Sequence, residues 1–426
     1  MKTVALETIG CRLNQYETEK IASRLAACGL RRVDFAEDAD LYIVNTCTVT
    51  GRADASCRRA INRTGRIKHK PRLVVVGCYV TADADLISSL PGVDLIIGND
   101  QKDEIVSILQ SKFPDLFDGG YCLDEDPSIS DFHHHNRAWV KIGDGCNQNC
   151  SFCIVPLVRG PIQNRPPQDI LAEIESLVKA GYNEVVLTGV HIGQYRYDGK
   201  ESLSDLIELI LAETALPRLR LSSIEPQEVD DRLIALMKNN QSRICRHLHI
   251  PAQSGSDRIL RLMRRPYLSG RYFDIIRKAK EAIENLVIGA DIIVGFPGEN
   301  DDDFEQSAAL ARSEWLDYLH VFTYSDRKGT DASRMPGKVD SKVAKRRNEI
   351  LRAISDQNYS RALAREIGLT AAAISEHRTD GGNHYWGITD NYLKILIPEK
   401  FGGTKNIIKM KIESSGADYL TGTVLQ

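Results

Sequence analysis

Gly145-Cys146-Asn147-Gln148-Asn149-Cys150-Ser151-Phe152-Cys153 is the segment around which the rest of the chain can be ordered. Its three cysteines, spaced C-x3-C-x2-C, fall in one loop directly after a short apolar run at 138–142 that reads as a strand. Thiolates are soft ligands that suit iron–sulfur clusters. Three of them on a four-iron cluster leave one iron open to a small molecule, whereas a fourth would close a zinc or electron-transfer site. The competing reading is a zinc loop completed by a remote fourth ligand. The loop's position after a strand favours a reaction site, because parallel barrels gather their chemistry at the carboxyl ends of strands.

Downstream, strand-like runs recur at 184–188, 218–222, 247–250, 287–294 and 318–323, with helical spacing between them at 167–180, 204–213 and 270–284. Six such units predict a partial or full (β/α) barrel over 137–365. Upstream, runs at 3–9, 41–45, 73–77 and 93–97 alternate with helical stretches such as 16–28, predicting a parallel α/β domain over 1–117. Residues 118–136 carry Gly119-Gly120, a patch of acids and His133-His134-His135, and read as a solvated linker. A charged helical stretch at 341–367 precedes a change of pattern. Short runs at 370–376, 385–388, 392–397, 407–412 and 420–424, set off by Gly, Asn and Asp turns, predict a small β-barrel of the oligonucleotide-binding sort over 366–426.

The chain has 426 residues, 42% hydrophobic and 27% charged, with a formal net charge of −3. That composition is globular, asks for more than one domain, and excludes a globally basic nucleic-acid coat. No apolar run approaches the roughly 18–20 residues a membrane span needs, and the polar start does not read as a signal peptide. A cytoplasmic location is expected, where the ten cysteines serve metal binding or catalysis before disulfides. Cys11, Cys47 and Cys78 each follow the end of a predicted strand, and in a parallel sheet such ends share one edge. Residue spacing leaves open whether they converge or are three independent buried thiols. Cys28, Cys57, Cys122 and Cys245 read as structural.

With an aromatic before its last cysteine, the 145–153 loop resembles that of the radical S-adenosylmethionine (SAM) superfamily. Asn45-Thr46-Cys47-Thr48-Val49-Thr50 and Gly77-Cys78 resemble the N-terminal domain of the methylthiotransferases within it. Further family motifs are matched by Ile154-Val155-Pro156-Leu157-Val158-Arg159-Gly160, His249-Ile250-Pro251-Ala252-Gln253-Ser254-Gly255-Ser256, Met263-Arg264-Arg265-Pro266-Tyr267 and Asp291-Ile292-Ile293-Val294-Gly295-Phe296-Pro297-Gly298-Glu299. Gly387-Ile388-Thr389-Asp390-Asn391-Tyr392 resembles the turn of a TRAM domain.

The resemblance implies a parallel α/β domain, a radical SAM partial (β/α) barrel and a TRAM-like small β-barrel. It implies SAM and two [4Fe–4S] clusters, one on Cys146, Cys150 and Cys153 and an auxiliary one on Cys11, Cys47 and Cys78. In such enzymes reduction cleaves SAM to a 5′-deoxyadenosyl radical, and the cofactor carries the hard chemistry. Phe152, Gly189, Gln253, Ser254, Ile293 and Val294 are the implied SAM contacts. Thr188-Gly189-Val190 lacks the acid found there in many radical SAM enzymes, which leaves the group holding the methionine end of SAM unassigned.

The implied partners are a tRNA anticodon loop at adenosine 37 and an electron donor such as a flavodoxin or ferredoxin, with no membrane. Thr46-Cys47-Thr48-Val49-Thr50, Leu221-Ser222-Ser223-Ile224-Glu225-Pro226, His320-Val321-Phe322-Thr323-Tyr324-Ser325 and Arg327-Lys328-Gly329-Thr330 are most like the branch acting on threonylcarbamoyladenosine. The alternatives are the same chemistry on isopentenyladenosine 37 or on a ribosomal-protein aspartate and, in a different class, a non-catalytic RNA-binding metal protein. Arg159 and Arg265 are candidate cations for the threonylcarbamoyl carboxylate. Arg258, Arg261, Arg264, Arg265 and Arg271 form either a phosphate-binding cluster or a solvated helix face. Asp301-Asp302-Asp303 reads as a helix N-terminus.

Overall fold

The structure is a computed structural model that describes residues 1–67, 70–117, 127, 129, 131–133 and 135–425. Gly119-Gly120, Cys122 and His134 lie outside the described residues. The first sheet takes β1 (Thr3–Thr8), β2 (Arg31–Val33), β3 (Leu41–Thr46), β4 (Arg72–Gly77) and β5 (Leu95–Ile97) in the order β2-β1-β3-β4-β5, all parallel. α1 (Arg12–Ala27) and a C-terminal helix (Ile105–Lys112) cover one face with Leu25, Ile105 and Leu109. α2 (Gly51–Thr64) covers the other with Cys57, Ala60 and Ile61, so both faces of the apolar strands are buried, as a parallel sheet requires. The edge strand β2 has no sequence signature, because three residues with two arginines make no apolar run.

β6 (Ala138–Lys141), β7 (Glu184–Thr188) and β8 (Arg218–Leu221) form one parallel sheet, and β9 (His247–His249), β10 (Val287–Val294) and β11 (Tyr318–Thr323) form another. A parallel bridge between Leu219 and Ile244 and the bond from the Ile224 N–H to the His249 carbonyl (3.0 Å) join them into one curved six-stranded wall. Among the described residues β6 and β11 do not pair, so the barrel is partial. α1 packs along β6 at this open side and sends Tyr16 into the barrel core, where its hydroxyl meets Glu173 at 3.2 Å.

The expected linker is not solvated throughout. Ile129 and Phe132 are fully buried in the barrel core, and Phe132 meets Trp139 edge-on at 5.2 Å. The Phe132 N–H donates to the Tyr182 hydroxyl (2.7 Å), and His135 stands edge-on to Trp139 at 4.5 Å. Two apolar residues three apart in a polar stretch give too little periodicity to reveal a packed strap.

The C-terminal strands β12 (Thr370–Arg378), β13 (His384–Thr389), β14 (Lys394–Pro398), β15 (Ile408–Ser415) and β16 (Leu420–Val424) close into a barrel in the order β12-β13-β14-β16-β15. It docks at the amino ends of the large barrel's strands. Glu184, at the start of β7 and fully buried, accepts from Arg218 (2.5 Å) and Arg220 (2.7 Å) and lies 3.6 Å from Arg137. The same arginines reach across: Arg218 donates to the Ala372 carbonyl (2.8 Å), Arg220 to those of Thr389 (2.9 Å) and Asp390 (3.1 Å), and Arg137 pairs with Glu376. Arg246 adds a 2.7 Å contact to Asp390.

Local signals account for the helix starts. The helix Leu203–Glu213 carries a capping box in which Ser202 and Asp205 exchange bonds, with Arg232 2.6 Å from the carboxylate. These hydrogen bonds hold Asp205 at about 2. Ser202→Ala is expected to cost ~1 kcal/mol in urea unfolding at neutral pH. Because Asp205 is lowered in the folded state, its share is complete above the ordinary carboxylate range and disappears as the pH falls toward 2, where melts of wild type and Asp205→Asn should converge. The acids 301–303 likewise sit at a helix start, where Asn300 and Asp303 form a second capping box. Among the described residues no helix is long and apolar enough to cross a membrane.

Candidate active site

The 145–153 loop leaves the β6 region at the carboxyl end of the barrel and is pinned on several sides. Gly145 has φ +70°, and a Cβ there would lie 2.1 Å from the Pro161 carbonyl oxygen, so only glycine fits. The Cys146 N–H donates to the Gly160 carbonyl (3.1 Å), Ser151 Oγ to that of Leu262 (2.7 Å), and the Cys153 N–H to that of Cys150 (3.1 Å). Cys146 Sγ lies 3.5 Å from His191 Nδ1, and the other His191 nitrogen lies 2.8 Å from Glu228. Burial opposes ionisation of Cys146, but the His191 hydrogen bond, the Gln148 N–H and the His191 charge together outweigh it and hold the thiol below its ordinary value. Burial also opposes charge on His191, yet its bonds to Cys146 and Glu228 raise it to about 9. Arg265 Nη1 is 3.1 Å from Cys150 Sγ. Burial pushes Cys153 up to about 12. Three convergent thiols, two of them faced by cationic donors, fit a cluster that takes thiolates.

The second set forms at the edge of the first sheet. The registers Thr8↔Asn45 and Thr46↔Gly77 put three strand ends side by side, and Cys11, Cys47 and Cys78 follow them. Gly10 (φ +128°) permits the close approach, since a Cβ there would sit 2.6 Å from Cys47 Cβ and 3.2 Å from its sulfur. Asn14 Nδ2 staples the loops by donating to the carbonyls of Ile9 (2.9 Å) and Thr46 (3.0 Å). Burial lifts Cys47 to about 12, with Cys11 and Cys78 adding to the effect, and Asn99 Nδ2 approaches Cys78 Sγ at 3.3 Å. These three thiols therefore share one edge and offer a donor set suited to a second cluster.

The two sets meet. Cys78 packs against Ile154 and Val158, and Ile154 directly follows Cys153. Asn99 Nδ2 also donates to the Val158 carbonyl (2.7 Å). At the end of the short helix Val155–Arg159, Arg159 is buried between Glu17 (2.7 Å), Asp144 (3.0 Å) and Asn14 (2.7 Å). Farther round the rim, Arg327 pairs with Asp54 (2.5 Å), and the Gly51 N–H donates to Ser325 Oγ (3.1 Å). The cysteine edge of the first sheet is clamped over the carboxyl ends of the barrel strands.

The other implied residues divide. Phe152 meets Phe296 edge-on at 6.4 Å, in one apolar cluster with Ile293 and Met263. Gln253 (φ +63°) is tied to β10 through the Asp291 carbonyl (2.8 Å) and the Ile293 N–H (2.9 Å), and its amide group has no hydrogen-bond partner among the described residues. Ser254 is buried, with its hydroxyl taken by Ser307 (3.2 Å) and the Ser256 N–H (3.1 Å), so it holds the turn and offers no free hydroxyl. Val294 lies in the barrel core, and a Cβ on Gly189 would come 2.8 Å from the Gly143 carbonyl oxygen. Arg159 is committed to the ion pairs above, and Arg265 to Glu225, Tyr267 and Cys150, so neither guanidinium is free. In the basic cluster, Arg258 pairs with Asp303 and Arg264 with Asp331.

Sequence reading missed His191 and a chain, buried at its histidine–tyrosine end and exposed at His320, in which Asp291 joins His249 (2.8 Å) and His320 (3.4 Å), and Tyr318 joins His249 (3.3 Å) and His247 (2.8 Å). The alternation His247/His249 and Tyr318/His320, set against Asp291 on the strand between, was the available signal for one shared face. Cys57 and Cys245 are buried free thiols, whereas Cys28 is disulfide-bonded, against the expectation for a reducing compartment.

Residues 140–311 match the Radical SAM superfamily, and residues 3–98 match the uncharacterized protein family UPF0004. The chain is 36% identical to the threonylcarbamoyladenosine tRNA methylthiotransferase MtaB of Bacillus subtilis (strain 168), over 99% of this chain and 96% of that protein. It is 31% identical to the tRNA-2-methylthio-N(6)-dimethylallyladenosine synthase of Thermodesulfovibrio yellowstonii, over 100% and 99%. Among solved structures, the radical SAM methyltransferase TsrM from Kitasatospora setae shares the fold with a TM-score of 0.56 at 13% identity, over 78% of this chain and 77% of that one. A likeness that runs through both cysteine loops and almost the full length of the compared relatives means that this chain belongs to the radical SAM tRNA methylthiotransferases, enzymes that work with SAM and a [4Fe–4S] cluster.

Proposed function

We propose that the chain methylthiolates C2 of N6-threonylcarbamoyladenosine 37 in tRNA, with one [4Fe–4S] cluster on Cys146, Cys150 and Cys153 and a second on Cys11, Cys47 and Cys78. The observation that carries this reading is the packing of Cys78 in one apolar cluster with Ile154 and Val158, which sets the cysteine edge of the first sheet against the segment that follows Cys153. When bound, SAM would supply the methyl group and the radical, and the clusters would pass on an electron from a flavodoxin- or ferredoxin-type donor and hold the sulfur to be transferred. The chain's own work is positioning. His191 favours the thiolate form of Cys146, and Arg265 stands against the Cys150 sulfur. Phe152, Ile293 and Phe296 offer an apolar wall to adenine, and Gln253 offers polar groups to ribose. The buried Arg159 network closes the seam beneath the loops against water, which hydrogen abstraction requires.

An anticodon-loop base is single-stranded and can be splayed into such a chamber. On the small barrel, Lys394 Nζ lies 3.6 Å from the Trp386 ring centre and Tyr419 stands beside it, the cation and aromatic pairing that suits RNA. Five relatives at 32–36% identity carry the threonylcarbamoyladenosine name, and the most similar of them favours that branch over the dimethylallyl relatives at 31–34%. Mass spectrometry of tRNA nucleosides from a deletion strain tests it. Loss of 2-methylthio-N6-threonylcarbamoyladenosine alone is expected; loss of the isopentenyl counterpart instead moves the chain to the other branch.

A further inference from the structure

The arginines named above at the cysteine loops and the domain seams are paired with carboxylates. Arg159 is paired with Glu17 and Asp144, Arg265 with Glu225, Arg327 with Asp54, and Arg137 with Glu184 and Glu376. Arg12, the residue after Cys11, is the exception: it is half-buried and has no carboxylate within ion-pair distance among the described residues. It lines a cavity of about 490 Å³ together with Cys11, Gln15, Trp139, His377 and Tyr392. The sole carboxylate among the described residues lining that cavity is Glu376, already held by Arg137. The indole N–H of Trp139, another lining residue, is buried with no acceptor among the described residues.

The guanidinium is nonetheless held in place. Arg12 Nη2 donates to the Tyr392 hydroxyl (2.7 Å) and lies over its ring at 5.6 Å. Tyr392 is itself stacked on His247 (4.4 Å), covered by Arg220 (5.2 Å), and fixed in a left-handed turn at φ +70°. One of the five guanidinium N–H groups is thereby used, and the remainder are open to a planar anion. A partly desolvated cation without a counter-charge is costly, and a carboxylate in the cavity removes that cost.

We infer that Arg12 is the residue that reads the threonine carboxylate of the N6-threonylcarbamoyl group, an inference that rests on the substrate proposed above. C2 and the N6 substituent flank N1 on one edge of the purine. A base that turns C2 toward sulfur at Cys11 therefore brings its N6 group to the residues beside Cys11. A dimethylallyl group in the same place leaves the guanidinium unpaired, so the residue selects against that substrate as well as for the acid.

The test uses the reconstituted full-length enzyme and three anticodon stem-loop RNAs. Their adenosine 37 carries threonylcarbamoyl, the methyl ester of that group, or isopentenyl. Wild type is expected to prefer the acid over the ester by about tenfold to a hundredfold in kcat/KM, expressed mainly in KM. In Arg12→Met the two RNAs should converge, Arg12→Lys should recover part of the preference, and Tyr392→Phe, which removes the anchoring hydroxyl, should narrow it by a smaller factor. Iron content and melting temperature report whether each variant is folded and loaded. An acid-to-ester ratio unchanged in both Arg12→Met and Tyr392→Phe overturns the inference while leaving the substrate standing. A wild-type enzyme that modifies the isopentenyl RNA and ignores the acid overturns the substrate itself.

Discussion

Cys153→Ala is expected to abolish reductive cleavage of SAM and to remove about half of the reconstituted iron, because a cuboidal cluster does not persist on two thiolates. Cys78→Ala is expected to remove a similar share of iron yet leave SAM cleavage in place, with no methylthio product. The two variants separate because the thiols belong to different strand ends. Cys153 shares its loop with Cys146 and Cys150, whereas Cys78 follows β4 beside Cys47. Cys245→Ala is the control: a buried free thiol, raised to about 12 by burial, that should change stability and leave iron unaltered. Iron analysis, chromatographic detection of 5′-deoxyadenosine and mass spectrometry of the RNA read the three outcomes. Full iron in Cys78→Ala would show that Cys11, Cys47 and Cys78 hold no cluster.

The largest expected loss of stability is at Glu184, which touches no cofactor. Its carboxylate is the shared counter-ion of Arg218, Arg220 and Arg137, all buried, and the same arginines hold the small barrel. Glu184→Ala leaves buried Arg218 and Arg220 with no carboxylate and Arg137 with Glu376 alone, and should cost ~3–5 kcal/mol in urea unfolding. The small barrel is expected to loosen first, seen as new protease cleavage near the end of the Ser341–Arg365 helix. Burial opposes ionisation of Glu184, but Arg218, Arg220 and Arg137 outweigh it and hold the carboxyl well below the usual carboxylate range. The stability it contributes is therefore complete above the ordinary carboxylate range and fades as the pH falls toward the lowered value. A loss under ~1 kcal/mol at neutral pH would show that the arginine cluster is relieved by water or side-chain movement.

How far the sequence revealed the molecule depended on pattern length. β10 and β11 have the bounds their apolar runs predicted, since eight and six residues with β-branched members leave little choice. The 145–153 loop was legible because its three cysteines are local. Cys11, Cys47 and Cys78 lie tens of residues apart, and only the parallel topology makes their order in the sheet β1-β3-β4. Contacts between elements carried no local signal: the Ile129–Phe132 strap, the His191 bond to Cys146, and the pairing that consumes Arg159 and Arg265. Arg12 stood beside a cysteine already singled out, but an arginine is informative only once its missing counter-charge can be seen, and that takes coordinates.

The arginine-bound seat of the small barrel has a consequence for substrate choice by length. A module hung on a loose tether would let RNA search for the chamber over many geometries. Here Ala372, Thr389, Asp390 and Glu376 are fastened to the base of the large barrel. Whatever grips its outer surface is thus held at one span from the two cysteine loops, like the fixed jaw of a caliper. A stem one helical turn too long or too short would present its loop to the wall rather than to the opening.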